Sequence, residues 1–120
     1  MFTQNWRSSE RKYGVKVERD ISIPMSDGTK IDCDVFLPDL NDAFPAILGM
    51  HSYKKSWQSA PSMPRGIDIL NASIEAGDPE FYVRRGYVQV IANARGTGRS
   101  EGEFLNYGPR EVQDTSEIIE

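Results

Sequence analysis

Residues 78–92 read DPEFYVRRGYVQVIA, and this stretch decides the fold class because it predicts a helix followed directly by a buried strand. Asp78 is a suitable N-cap, and Pro79 fits the first helical position. Gly86 fits the position just past the helix end, where positive φ is common. Residues 87–92 are almost continuously apolar, which is typical of a strand covered on both faces.

A second apolar run, PAILGM at residues 45–50, precedes this helix. The order strand, helix, strand is the pattern of an α/β protein with a mixed, mostly parallel sheet and flanking helices. The connection at residues 51–77 is long for a compact domain, and long connections are often functional.

The last element that the sequence predicts is a helix beginning at Pro109, because proline is favoured in the first helical turn. Its inward face is expected to contain Val112, Thr115 or Ser116, and Ile119. Glu120 still lies within this helical pattern.

Alternation of apolar and polar side chains predicts an antiparallel hairpin over residues 15–37. Asp27-Gly28 lies between the two alternating segments and is a strong hairpin-turn signal, since glycine adopts positive φ freely. The apolar residues of equal parity are Val15, Val17, Ile21 and Ile23, interrupted by Arg19, and then Ile31, Cys33, Val35 and Leu37. Asp32 and Asp34 alternate with the second set. We therefore expect one buried face and one face in contact with water.

The composition limits the class of function. The 120 residues carry 14 Lys and Arg against 18 Asp and Glu, and these charges are scattered, so we expect no nucleic-acid partner. Cys33 is the only cysteine, expected as a buried thiol, and His51 is the only histidine, which argues against a disulfide or a metal site. Residues 1–13 lack the apolar segment of a signal peptide, and no stretch has transmembrane length. We expect a cytoplasmic protein with no membrane partner.

The glycine-rich loop after the second buried strand contains two motifs. Gly98-Arg99-Ser100-Glu101-Gly102 matches G-x-S-x-G, the nucleophile-elbow pattern of serine hydrolases. An elbow serine lies on a tight turn directly between a strand and a helix, whereas residues 95–98 separate Ser100 from its strand. Gly96-x-Gly98 also resembles a dinucleotide loop, but Glu101 stands where that fingerprint has its third glycine. We interpret the loop as a structural turn and Ser100 as non-catalytic.

His51-Ser52-Tyr53 follows the first buried strand. Adjacent residues of an extended strand point to opposite faces, so His51 and Ser52 are not expected to form a catalytic dyad. A tyrosine hydroxyl at the carboxyl end of a core strand can stabilise negative charge on an acyl oxygen. Tyr53 is therefore either an oxyanion-hole donor or a packed residue at a strand end.

Several stretches, in their order along the chain, resemble those of cocaine-esterase-like acyl esterases and X-Pro dipeptidyl-peptidases of the S15 type. They are residues 23–30, 34–38, 78–83 with 85–88, and 94–102, which reads ARGTGRSEG. The resemblance covers residues 15–120 and leaves residues 1–14 as a polar N-terminal arm. It implies an α/β-hydrolase fold, of which this chain holds an incomplete N-terminal part.

The resemblance also implies an activity. These enzymes cleave small acyl esters or short X-Pro peptides through a Ser-His-Asp triad, without a cofactor. In that family a tyrosine after the third strand donates to the oxyanion hole, and Tyr53 occupies the matching place. The Arg-Gly-x-Gly-x-Ser-x-Gly loop is a structural signature there, which agrees with the geometric argument about Ser100.

The chain departs from the family in two ways. Asn93 stands where the family usually has Asp, which removes a charge near Arg95. The family's serine elbow and its triad Asp and His come after the last helix, so none of the three is expected within residues 1–120. We therefore expect the chain alone to be inactive. The alternative is a non-catalytic remnant or partner-dependent binding module that associates through an exposed sheet edge.

Overall fold

The computed structural model describes residues 7–52, 55, 76–106 and 108–120. Within them, four strands form one sheet. The strands are β1 (Val15–Pro24), β2 (Lys30–Pro38), β3 (Ala46–His51) and β4 (Val88–Asn93), and the helices are α1 (Pro79–Val83) and α2 (Pro109–Ile119). This is the chain order of elements that the sequence predicts.

The sheet is mixed, with the strand order β1-β2-β4-β3. β2 is antiparallel to both β1 and β4, and β3 is parallel to β4. The predicted hairpin and the α/β fold are thereby confirmed. Among the described residues, only β3 and β4 pair in parallel. The parallel share of the sheet is smaller than expected because the antiparallel hairpin lies directly beside β4.

Helix α1 has the ends that its sequence predicts. The Asp78 carboxylate accepts a hydrogen bond from the Glu80 N–H at 2.9 Å, and Pro79 is the first helical residue. The chain leaves the helix through Gly86, whose φ of 89° places it in the left-handed region. This helix therefore begins and stops because of local signals.

Two apolar clusters lie on opposite faces of the sheet. The first consists of Met25, Ile31, Cys33 and Ala92, with Ile118 of α2 packed against it. The second consists of Phe36, Val83 and Ile91, with Val15 and Ala76 packed against it. We call these sides the α2 face and the α1 face. Burial raises the pKa of the Cys33 thiol to about 12, so the expected buried thiol is confirmed.

A bulge in β1 changes which face its apolar side chains meet. Arg19 and Asp20 together lie opposite the single residue Asp34, and Asp20 has a φ of 56°. Val15 therefore packs on the α1 face, whereas Ile23 packs on the α2 face. The expectation that the four apolar residues of β1 share one face was wrong, because the inserted residue reverses the alternation.

The expected water-exposed face of the hairpin is present on β1, but the expectation was wrong for β2. Asp32 and Asp34 are each only 5% exposed, although both alternate with the apolar residues of β2. β2 lies between β1 and β4, so it is an interior strand. The two carboxylates are buried because Lys55 closes over them, with its ammonium within 2.9 Å of both.

Helix α2 turns to the sheet a face that shares only Thr115 with the predicted one; the Thr115 hydroxyl donates to the Met50 sulfur at 3.5 Å. Val112 and Ile119 are 68% and 73% exposed, whereas Glu111 and Asp114 are buried. The apolar pattern failed because Asp114 forms an ion pair with the buried Arg95. This pair fixes the rotation of α2 more strongly than its two exposed apolar side chains do.

Candidate active-site edge

The carboxyl ends of the parallel strands β3 and β4 meet at one edge of the sheet. His51 and Asn93 are register partners there, and the Ala94 N–H donates to the His51 carbonyl at 2.7 Å. Ligands of open α/β sheets bind outside the carboxyl ends of the strands. This edge, which the sequence places next to Tyr53, is the candidate active site.

His51 and Ser52 lie on opposite sides of the sheet. The His51 imidazole is buried beside Gly49, on the α1 face. Ser52 lines a cleft on the α2 face together with Met50 and Thr115. They form no dyad, as the strand geometry predicts. Tyr53 lies outside the residues that the structure describes, so its oxyanion role stays a prediction.

The Ser100 hydroxyl is hydrogen-bonded to the main chain at both of its contacts. Its Oγ donates to the Asn93 carbonyl at 2.8 Å and accepts a hydrogen bond from the Asp32 N–H at 2.9 Å. Both bonds are buried, and they join the end of β4 to the start of β2. The hydroxyl is thus neither exposed nor placed between a strand and a helix, in agreement with its interpretation as a non-nucleophile.

Steric constraints explain why glycines occur around Ser100. Gly96 and Gly98 have φ values of 72° and 57°. A Cβ at Gly96 would overlap the backbone N of Phe104, and one at Gly98 would overlap the side-chain amide of Asn93. Close approach of neighbouring chain segments therefore accounts for these glycines, without a bound phosphate.

Arg95 is held by carboxylates on two other segments. Its Nε and Nη2 donate to Asp114 at 2.8 and 2.7 Å, and its Nη1 lies 2.9 Å from Asp27. The hydrogen bonds that the guanidinium donates to Asp114 raise its pKa further above its ordinary range. Arg95 is thus well paired even though residue 93 is the uncharged Asn93.

Lys55 is buried at this edge, although its place in the Lys54-Lys55 pair predicts a solvated charge, and that prediction was wrong. The Lys55 ammonium donates to Asp20 at 2.8 Å, Asp32 at 2.9 Å and Asp34 at 2.7 Å. We call these three residues the aspartate cluster. Burial opposes the charge on Lys55, but the hydrogen bonds that its ammonium donates to the cluster outweigh this effect and raise its pKa. The sequence signal that could have revealed this lysine is the pair of aspartates in β2, because two carboxylates buried in an interior strand require a cation.

Asn93 connects the aspartate cluster to the main chain. Its Nδ2 donates to Asp32 at 2.8 Å, and its Oδ1 accepts from the Lys55 N–H at 2.8 Å. An aspartate at this position could accept from the backbone but would place a second carboxylate against Asp32. The amide is therefore the side chain that suits both neighbours.

In the part of the chain that the structure describes, no group of His, Cys, Asp and Glu side chains is arranged to hold a metal ion. The space between the carboxylates of the aspartate cluster is filled by the Lys55 ammonium. No helix among the described residues combines the length and apolar character needed to cross a bilayer.

The fold and this edge together define the N-terminal part of an α/β-hydrolase. The sequence pattern of the X-Pro dipeptidyl-peptidase (S15) family matches residues 27–120, and the chain belongs to that family of hydrolases. It is 30% identical over 89 residues to cocaine esterase from Rhodococcus sp. (strain MB1 Bresler). That match covers 74% of this chain and 14% of the esterase.

Solved structures agree. A CocE/NonD family hydrolase from Staphylococcus aureus superposes with a TM-score of 0.70 at 26% identity, over 90% of this chain and 23% of its own. An α-amino acid ester hydrolase has the same fold, with a TM-score of 0.55 at 24% identity over 88% of this chain and 17% of its own. The chain thus spans less than a quarter of each of these relatives.

Proposed function

We propose that this chain is the N-terminal part of a serine hydrolase that cleaves acyl esters or X-Pro dipeptide and amide bonds. Family membership supports hydrolysis, since the matching pattern is that of X-Pro dipeptidyl-peptidases and a relative is a cocaine esterase. Small acyl esters and short peptides are the proposed substrates. The family resemblance requires no cofactor.

Tyr53 is the proposed oxyanion-hole donor. A serine oxygen attacks the acyl carbon, and the carbonyl oxygen becomes an anion until the leaving group departs. A tyrosine O–H aimed at that oxygen stabilises the anion more than it stabilises the substrate. The observation that carries this role is the location of its neighbours, because His51 and Lys55 both lie at the carboxyl edge of the sheet.

The nucleophile is proposed to come from outside residues 1–120. Ser100 is unsuited to the role because both of its hydrogen bonds tie it to backbone groups of β2 and β4. The relatives are more than four times as long as the segment they share with this chain, which leaves room for a triad. Residues 1–120 alone are accordingly expected to show no turnover. The single unpaired cysteine, Cys33, favours a reducing, cytoplasmic location.

The test uses the complete open reading frame that contains this chain. Hydrolysis of p-nitrophenyl acetate and of an X-Pro p-nitroanilide is measured for the parent, Tyr53→Phe, Ser100→Ala and Tyr13→Phe. Tyr53→Phe should lower kcat by about 10²- to 10³-fold, the effect of removing one oxyanion donor. Tyr13, which packs edge-on against Phe44 at the opposite end of the parallel strands, is the matched control and should retain activity.

Parental kcat in Tyr53→Phe would refute the oxyanion role. Catalysis by residues 1–120 that is abolished in a folded Ser100→Ala variant would refute an external nucleophile. A reading frame without a later strand–Gly-x-Ser-x-Gly–helix segment would refute the proposal of an active enzyme.

The second candidate is a partner-dependent binding module, and the exposed side of the sheet favours it. β3 is an edge strand among the described residues, and an apolar groove beside it is lined by Ala46, Leu48, Val90, Ile118 and Ile119. An unpaired edge next to apolar side chains invites association with another chain. Under this alternative, residues 1–120 should bind a complementary polypeptide and no ester should be cleaved.

A further inference from the structure

The Lys55 side chain joins parts of the chain that are distant in sequence. Each of its three ammonium hydrogens has a carboxylate acceptor: Asp20 at the bulge of β1, and Asp32 and Asp34 in β2. The side chain is only 10% exposed. An ammonium that has all its donors used and little access to water is held in one position.

The main chain at Lys55 is fixed as well. Its N–H donates to the Asn93 Oδ1 at 2.8 Å, and the Asn93 amide is itself held by the Asp32 carboxylate. On the other side of Tyr53, the His51 carbonyl accepts from the Ala94 N–H at 2.7 Å. The chain is thus anchored to the end of β4 two residues before Tyr53 and again two residues after it.

The charges explain why this anchor is a lysine. Arg19 lies 3.0 Å from Asp34 and is half exposed, and Arg99 lies 3.4 Å from Asp20 and is largely exposed. Among the described residues, Lys55 is the one cation in contact with Asp32. The buried carboxylates therefore bind the ammonium strongly, and a neutral side chain could not replace it.

We propose that Lys55 is a positioning residue for the oxyanion hole: its ammonium on the aspartate cluster and its N–H on Asn93 hold the main chain that follows Tyr53, the proposed oxyanion donor, in one position before substrate binds. This inference rests on the proposed role of Tyr53. Donors that are fixed in advance stabilise an oxyanion without reorganising during the reaction. A displacement of about 1 Å in such a group costs about 10²-fold in rate.

The test measures kcat, KM and thermal stability in the complete hydrolase for Lys55→Met, Lys55→Arg, Tyr53→Phe and the double variant Tyr53→Phe/Lys55→Met. Lys55→Met should lower kcat by about 10- to 100-fold and leave KM unchanged, because the oxyanion forms only in the transition state. Lys55→Arg keeps the charge and should recover part of kcat. In the Tyr53→Phe background, Lys55→Met should have little further effect.

If Lys55→Met does not fold, Asn93→Ala takes its place, because it removes the backbone anchor and leaves the ammonium on its carboxylates. It should give the same fall in kcat, and the fall should again disappear in the Tyr53→Phe background. A reference variant is Glu80→Gln, which changes a half-exposed residue of α1 that pairs with Arg84.

The outcomes separate the two proposals. A large effect of Tyr53→Phe with parental kcat in folded Lys55→Met or Asn93→Ala, or with effects that multiply in the double variant, overturns the positioning role alone. Parental activity in Tyr53→Phe overturns the oxyanion role, and the positioning role with it.

Discussion

Asp114→Asn should weaken the fold because it breaks a buried ion pair. Asp114 in α2 is fully buried and binds Arg95 through two hydrogen bonds of 2.8 and 2.7 Å. The guanidinium side chain is 8% exposed. Asparagine has almost the same shape, but it carries no charge and turns an N–H₂ group toward one of the guanidinium nitrogens.

The magnitude follows from what remains around the guanidinium. Removing one partner of a buried ion pair costs about 3–5 kcal/mol, because the other charge is left without compensation. Here Arg95 keeps its contact with Asp27 at 2.9 Å, so the lower end, about 3 kcal/mol, is expected. For a domain of this size, that corresponds to a fall in Tm of about 12 °C. It is a large part of a total stability of about 5–15 kcal/mol.

The assay is urea unfolding of residues 1–120, followed by far-UV circular dichroism, for the parent, Asp114→Asn, Arg95→Met and the double variant. Glu80→Gln is the control, since it breaks a half-exposed pair between α1 and Arg84 and should cost about 0.5 kcal/mol or less. The double variant should be more stable than the two single costs predict, because neither charge is then left alone.

A cost for Asp114→Asn no larger than that of Glu80→Gln would refute this reasoning. So would strict additivity in the double variant, because additivity would mean that the two side chains do not interact in the folded protein.

Two further predictions concern the same region. Gly98→Ala should cost about 2–4 kcal/mol, from positive φ and from overlap with a neighbouring side-chain amide. Gly28 also has positive φ but open space around it, so Gly28→Ala should cost only the backbone part, about 1–2 kcal/mol. Equal costs of the two substitutions in urea unfolding would exclude a contribution from the overlap at Gly98. Hydrogen bonds from the Arg95 side chain and the Thr29 N–H lower the pKa of Asp27 below its ordinary 3.8. A lowered pKa contributes stability that is present above the ordinary pKa and is lost as the pH falls below it. On acidification from about pH 5 to pH 2, a range that spans the ordinary carboxyl pKa, the Tm of Asp27→Asn should therefore fall less than that of the parent. Parallel curves of Tm against pH would contradict this prediction.

Local signals made the central strand–helix–strand unit predictable. Asp78, Pro79 and Gly86 define α1 by capping and by backbone conformation, which depend on neighbours in sequence. The apolar runs of β3 and β4 reflect burial on both faces, so they too are visible in the sequence. The fold class rests on these signals.

The errors come from features that depend on distant partners. The face reversal in β1 depends on one inserted residue at Asp20, which a simple alternation pattern does not contain. Burial of Asp32 and Asp34 depends on Lys55, which lies in a later segment. The orientation of α2 depends on Arg95. In the last two cases a specific polar contact outweighs the average preference of apolar side chains for the interior.

These polar contacts also explain why the G-x-S-x-G string occurs in a loop without a nucleophile. Ser100 joins β4 to β2, and Gly98 lets the loop approach Asn93, which in turn holds Lys55. Residues that resemble an elbow in sequence therefore build the support of the active-site edge. A catalytic serine needs an exposed hydroxyl, whereas this serine acts through two buried hydrogen bonds. The same residue pattern thus serves two opposite requirements, and only the surrounding geometry distinguishes them.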